Sequence, residues 1–116
     1  MRVLLSIIEP RGQREARSEA AGRALYAEMV AFGDSLGGRL VASHSLRPDR
    51  HGVRVQLQHD QPVLRDGPFT ESKEMLGDFF LIECESMDEA LAIAQRCPGA
   101  RFGTVEVRAC APCYEQ

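Results

Sequence analysis

The residue types best suited to chemistry lie in one short segment, Asp66-Gly67-Pro68-Phe69. Asp, Gly and Pro are typical of tight turns: Asp bonds backbone N–H groups, Gly supplies a positive φ, and Pro fixes the exit of the chain. In that interpretation Phe69 anchors the turn in the core. In a second interpretation Asp66 points into a pocket as a ligand-binding carboxylate or general base, and burial raises its pKa. The sequence leaves both interpretations open.

Charged side chains follow the turn directly, at Glu71, Lys73 and Glu74. A mixed charge run is typical of a solvated loop. If the loop curls over a sheet, one carboxylate and Lys73 could instead meet a polar substrate. Lys73 is the only lysine of the chain.

A histidine and a tyrosine complete the set of candidates. His44 lies in a predicted strand, where it is either a satisfied structural residue or the partner of Asp66 in an acid–base pair that works near neutral pH. Tyr26 would add a hydroxyl donor from a helix. We therefore predict Asp66 and His44 as catalytic residues. The predicted ligand-binding residues are Tyr26, Phe69, Glu71, Lys73 and Glu74.

The four cysteines differ in their predicted surroundings. Cys84 lies in a buried strand as a small hydrophobe, and Cys97 lies at a helix C-terminus, where the macrodipole raises the pKa of a thiol. Cys110 and Cys113 form a CxxC segment with three residues after it. An inert tail, an adventitious disulfide or metal, and a functional pair all remain open. The sequence contains no HExxH, GxSxG or nucleotide fingerprint, so we predict no metal site and no cofactor.

Composition excludes several classes of partner. The chain is 44% hydrophobic and 27% charged, with a net charge of −3 and no Trp. Because the signs are interspersed and no basic stripe occurs, we expect no nucleic-acid binding. The apolar run over residues 3–8 is too short to span a membrane, and Glu9-Pro10 follows it rather than a signal-peptide cleavage site. We expect a cytoplasmic protein whose cysteines are thiols and which has no membrane partner.

Hydrophobic patterning predicts the elements that must position these residues. A strand over 2–8 is apolar on both faces, and a helix capped by Ser18 follows, which Gly37-Gly38 ends. The core-facing stripe of that helix comprises Ala21, Leu25, Met29, Phe32 and Leu36. Further strands cover 40–46, 53–58 with one wet face, 63–65 after a turn at 59–62, and 77–84.

The remainder of the chain repeats the strand–helix–strand pattern. Ser86 and Glu89 form a capping box that opens a second helix, Pro98-Gly99 ends it, and the last strand covers 104–108. The order β-α-β-β(-β)-β-α-β predicts an α+β, ferredoxin-like sandwich with an added hairpin. We assign residues 1–109 to a single domain and residues 110–116 to a C-terminal tail. Two helices cover only one face of a sheet, yet 3–8 and 79–82 are apolar on both faces, so we expect a homodimer, sheet against sheet.

The segment from Asp66 to Glu74 resembles the signature of the DGPF branch of the YCII-related domain family (YciI-like proteins). The likeness continues through Gly77-Asp78-Phe79-Phe80-Leu81-Ile82, and it resumes at Ser86–Ala90, Arg96–Pro98 and Gly103–Arg108. This resemblance implies a ferredoxin-like fold that dimerises as an α+β barrel. The wider group includes an enzyme of chloroaromatic breakdown with a His–Asp active pair. Genes of the DGPF branch often neighbour those of alternative sigma factors.

The sequence departs from the family pattern at four positions. Tyr26 lies near the place of the helix histidine of the wider group, and Cys97 replaces its aspartate. His44 stands where the branch usually has Glu, and Asp78 stands where it usually has Gly. Two functions therefore remain open. One is acid–base chemistry on a small polar or aromatic compound in a pocket near Asp66. The other is a non-catalytic ligand-binding or regulatory module, associated with a sigma factor.

Overall fold

Strand β1 is the centre of a four-stranded antiparallel sheet of order β2-β5-β1-β6. The computed structural model describes residues 1–116. Its elements are β1 Arg2–Pro10, α1 Gln13–Ala16, α2 Glu19–Ser35, β2 Leu40–Ser45, β3 Val53–Gln58, β4 Gln61–Asp66, β5 Glu74–Glu83, α3 Met87–Arg96, α4 Gly99–Phe102 and β6 Thr104–Ala109. This strand order, with helices between β1 and β2 and between β5 and β6, confirms the predicted ferredoxin-like α+β fold.

The two long helices begin at the predicted caps. The Ser18 hydroxyl accepts the Ala21 N–H at 3.1 Å, and the Ser86 hydroxyl accepts the Glu89 N–H at 3.1 Å. Past the end of α2, Gly37 has a φ of +56°, a conformation that favours glycine. Pro98-Gly99 differs from the prediction: α3 ends at Arg96, but Gly99 opens the short helix α4. None of these helices has the length and apolarity needed to cross a bilayer.

The hydrophobic core lies between the sheet and the long helices. Val3, Leu5 and Ile7 on alternate positions of β1 are fully buried, as one face of a strand requires. The rings of Phe32 in α2 and Phe80 in β5 meet edge-to-face with centroids 5.0 Å apart. The predicted stripe of α2 is correct only in its C-terminal half. Ala21 is exposed, because the N-terminal half of the helix extends beyond the core.

The opposite face of the sheet has no covering element within the chain. Leu4 pairs with Leu81 and Ser6 pairs with Phe79 across β1 and β5. These positions alternate with the core positions, so they face away from the helices. Leu4, Phe79 and Leu81 are partly exposed as a result. We call this surface the open face.

Strands β3 and β4 pair only with each other and form a separate hairpin. Its turn residues His59 and Asp60 have φ values of 50° and 63°. Every residue of both strands is exposed, so the prediction of one wet face for β3 was wrong: neither face of the strand is buried. The hairpin makes the chain extended, with a radius of gyration of 16.0 Å against about 13 Å for a compact chain of this length.

Candidate small-molecule site

Asp78 occupies an unusual position in β5, where it pairs with Ile7 of β1 and Ser45 of β2. Burial raises the pKa of its carboxyl, which the nearby Ser45 hydroxyl and the Arg14 guanidinium oppose. A partly buried carboxyl in a cavity is a candidate for acid–base work. One feature of the sequence pointed to this residue: Asp78 stands where the family pattern usually has glycine.

Asp78 lines two adjoining cavities between α2 and the β2–β5 side of the sheet. One measures about 180 Å³ and the other about 200 Å³. Tyr26, Met29, Ser45 and Asp78 line both. Arg14, Arg17 and Phe102 line only the first, and His44 and Phe79 line only the second. The structure therefore places one predicted site residue, Tyr26, beside Asp78. His44 pairs with Phe79, on the open face of the sheet, so its side chain points away from Asp78. We call this pair of cavities the Asp78 site.

A buried ion pair supports β5 beside Asp78. Glu9 is 2% exposed and binds the Nε of Arg14. The same guanidinium donates to the carbonyl oxygens of Leu46 at 2.6 Å and Gly77 at 3.2 Å. A Cβ on Gly77 would lie 2.5 Å from the Glu9 carboxylate, so only glycine fits there. The pair thus fixes the ends of β1 and β2 against the residue that precedes Asp78.

The Asp66-Gly67-Pro68-Phe69 segment is held by a residue that the sequence analysis did not select. The Asp49 carboxylate accepts the Phe69 N–H at 3.2 Å and forms an ion pair with Arg11. Arg11 also donates to the carbonyl oxygens of Phe69 at 2.9 Å and Ser72 at 2.7 Å. The Arg11 hydrogen bond, together with the Phe69 N–H, lowers the pKa of Asp49 to about 2.

Asp66 does not have the surroundings that the turn interpretation predicted. It is exposed at the end of β4, its side chain makes no hydrogen bond or ion pair, and it lines none of the five main cavities. The predicted pairing of Asp66 with His44 does not form, because one residue lies in the hairpin and the other in the main sheet. Pro68 and Thr70 of the same segment do line a cavity of about 280 Å³, together with Arg11 and Asp49.

Gly67 also differs from the prediction. Its φ is not positive. A Cβ at this position would lie 1.8 Å from the carbonyl oxygen of Asp49. Glycine is required here by the close approach of two backbone segments rather than by a left-handed turn.

Phe69 and Glu71 join the turn to the hairpin. Phe69 is 7% exposed, with the Arg54 guanidinium 3.8 Å from its ring centroid and that of Arg65 at 5.2 Å. Glu71 forms ion pairs with both arginines. Its own backbone N–H and Arg65 lower the pKa of its carboxyl. These contacts make Phe69 the buried anchor that was predicted, but outside the main core and away from the Asp78 site.

Lys73 and Glu74 are exposed and their side chains make no ion pair. The Lys73 carbonyl oxygen accepts the Arg11 N–H at 2.9 Å. Glu74 lines a cavity of about 260 Å³ beside Arg11, Arg47 and Phe69. Neither residue lines the Asp78 site.

The cysteines are all free thiols. Cys84 and Cys97 are buried in the core, and burial raises the pKa of Cys97 to about 11. Cys110 and Cys113 are exposed after the end of β6. The structure contains no group of three or more His, Cys, Asp or Glu side chains arranged to hold a metal ion.

Comparison with known proteins gives the chain a family. The model of the YCII-related domain matches residues 3–113. An uncharacterized protein of Rhizobium meliloti is 37% identical over 73 residues, which cover 61% of this chain and 59% of that relative. The chain thus spans less than two thirds of this curated relative's length.

A solved structure of similar fold covers nearly the whole chain. It is 5-chloro-2-hydroxyhydroquinone dehydrochlorinase from Burkholderia phenoliruptrix in complex with 2,5-dihydroxybenzoquinone, with a TM-score of 0.57 and 20% identity over 96% of this chain and 94% of that one. At that identity the likeness is one of fold. The fold and the family match agree, and the chain belongs to the YCII-related domain family.

Proposed function

We propose that the Asp78 site binds a small polar or aromatic compound and carries out acid–base chemistry on it. The observation that carries the proposal is that Tyr26 and the partly buried Asp78 line both of the adjoining cavities. Each cavity is smaller than the roughly 300–1,000 Å³ of a typical ligand pocket, so the compound is small. No cofactor is part of the proposal.

The Asp78 and Tyr26 side chains suit different roles. Asp78 is the general acid or base, because partial burial brings the pKa of its carboxyl closer to neutral pH. His44 lies beside Phe79 on the other face of the sheet and has no role in this chemistry. Tyr26, which is 59% exposed, supplies a hydroxyl donor at the mouth of the site.

A non-catalytic ligand-binding module is the second candidate function. It is favoured by the side chains that occupy the positions of the wider group's active pair: Tyr26 for the histidine and Cys97 for the aspartate. The raised pKa of Cys97 leaves its thiol protonated at neutral pH. The names of the two relatives do not connect the chain with a sigma factor, so the proposal contains no such partner.

We also propose that the protein is a cytoplasmic homodimer formed through the open face, which would give the α+β barrel. Leu4, Phe79 and Leu81 are apolar, adjacent and partly exposed on this face. A second copy of the sheet would remove them from water. The cytoplasmic location is supported by four cysteines that are all unpaired.

The test uses 2,5-dihydroxybenzoquinone as probe, the compound bound in the related dehydrochlorinase. Binding is measured by calorimetry, and conversion of chlorinated hydroxyhydroquinones is followed by absorbance. We expect Asp78→Asn to lower any turnover by about 10²–10⁴-fold, and the matched control Asp66→Asn to leave it unchanged. Binding without turnover in the wild type would select the second candidate. Loss of turnover in Asp66→Asn alone would contradict the Asp78 site.

A further inference from the structure

Arg17 is a charged residue of the Asp78 site that the proposed chemistry does not use and that has no carboxylate partner. It lines the cavity of about 180 Å³ together with Asp78, Tyr26 and Phe102. It forms no ion pair, whereas Arg14 in the same cavity is paired with Glu9. Arginines elsewhere on the chain are also mostly paired; only Arg17, Arg47 and Arg96 lack a carboxylate partner.

Neutral groups hold the Arg17 side chain in place. Its Nη2 donates to the Gln13 Oε1 at 3.1 Å, and the Gln13 Nε2 donates to the Phe102 carbonyl oxygen at 2.7 Å. The guanidinium also lies 5.7 Å from the centroid of the Phe102 ring. These contacts restrict the side chain without neutralising its charge, so the remaining N–H groups are free to bind an anion.

Asp78 lines the same cavity but lies beyond ion-pair distance of Arg17. The site therefore contains a free guanidinium and a separate partly buried carboxyl. A guanidinium binds carboxylates and other planar oxyanions through two parallel N–H···O bonds. A ligand with an anionic end and a separate proton-bearing group would satisfy both side chains.

We propose that Arg17 is the anion-binding residue of the Asp78 site and that the ligand is a small organic carboxylate. This inference rests on the proposed function of the site as a small-molecule pocket. It adds the charge of the ligand and the residue that recognises it.

The experiment compares benzoate with its neutral analogue benzamide as probes at millimolar concentration, by NMR titration of the intact protein. We expect the wild type to bind benzoate about tenfold or more tightly than benzamide, the effect of one charge-assisted hydrogen bond. Arg17→Gln should remove this preference and Arg17→Lys should retain part of it. The matched control is Arg23→Gln, which changes an exposed arginine of α2 paired with Glu19.

The outcomes separate this inference from the proposed function. Equal affinity for the two probes in the wild type, or a benzoate preference that survives in Arg17→Gln, would overturn the role of Arg17. If Asp78→Asn still weakened the binding of both probes, the proposed function would be supported without the role of Arg17. Saturable binding of neither probe would contradict both proposals. Thermal unfolding of each variant checks that the fold is intact.

Discussion

The Asp49 carboxylate accepts the backbone N–H of Phe69 at 3.2 Å. This one contact joins the segment after β2 to the turn before β5, and Arg11 completes it by binding both residues. The task that the sequence suggested for Asp66, bonding the turn backbone, is thus performed by an aspartate from another part of the chain. Asp49 and Asp66 form a natural pair of variants for comparison.

Asp49→Asn should destabilise the fold and Asp66→Asn should not. The first change removes the charge that pairs with Arg11 and leaves the guanidinium partly buried without its partner. The second alters an exposed side chain that makes no hydrogen bond. Urea denaturation monitored by circular dichroism measures both midpoints. A lower midpoint for Asp66→Asn than for Asp49→Asn would restore the original interpretation of the turn.

The Asp49 contact should also make the unfolding free energy depend on pH in the acidic range. Its pKa is lowered from 3.8 to about 2 in the folded state, so folding favours the ionised form. This stabilisation is complete above the unfolded pKa and is lost as the pH falls through 3.8 towards about 2. The difference in unfolding free energy between wild type and Asp49→Asn should therefore shrink over that interval. A constant difference would show that Asp49 does not titrate with folding.

The ionisation of Asp78 should change the stability of the fold with pH in the opposite direction. Burial raises its pKa in the folded state, so ionisation at higher pH favours the unfolded chain. Asp78→Asn should therefore gain stability relative to the wild type as the pH rises above the unfolded pKa of 3.8. Urea midpoints across this range test the prediction. A relative loss of stability with rising pH would mean that the folded state stabilises the Asp78 carboxylate.

Phe69→Ala should cost roughly 3–5 kcal/mol of unfolding free energy, the usual effect of removing a buried phenylalanine side chain. The ring is buried, and Arg54 and Arg65 stack on it. Phe69→Leu, which keeps most of the apolar volume, should cost less and isolates the aromatic contribution. Chemical denaturation provides the values. A cost below about 1 kcal/mol for Phe69→Ala would mean that the site collapses around the cavity.

The proposed dimer can be tested through the open face. Light scattering after size exclusion should give twice the mass of 12.8 kDa at micromolar concentration. Leu81→Lys places a charge at the centre of the open face and should yield a monomer. Leu91→Lys, on an exposed position of α3, should leave the dimer intact. A wild-type monomer would contradict the proposal.

Local signals in the sequence were sufficient for most of the fold. The caps at Ser18 and Ser86 depend on residues within one helical turn. The strands β1 and β5 are recognised because apolar residues occupy successive positions in the local sequence. Such signals predicted the element order and the ferredoxin-like sheet. They failed for β3, because alternation of Val55 and Arg54 shows a strand but does not show whether anything covers it.

The candidate site was only partly predictable. Tyr26 and His44 were selected for their chemistry. The structure places Tyr26 at the Asp78 site, whereas His44 packs beside Phe79 on the other face of the sheet. Asp78, Arg17 and Asp49 were missed as site residues, because burial, cavity position and partners depend on contacts between distant segments. Asp78 pairs with Ser45 across strands, and Asp49 meets Phe69 across loops. No local pattern contains that information.

The separate hairpin should unfold locally more easily than the four-stranded sheet. The backbone bonds between β3 and β4 end within the hairpin itself, so this ribbon can fray while the four-stranded sheet stays closed. Regions with few buried contacts unfold locally at low free-energy cost. The hairpin amides should exchange with deuterium well before those of Leu5 or Ile82. Slow exchange along residues 53–66 would show that a molecule outside the chain protects the hairpin amides. The hairpin would then be part of the surface that binds this molecule.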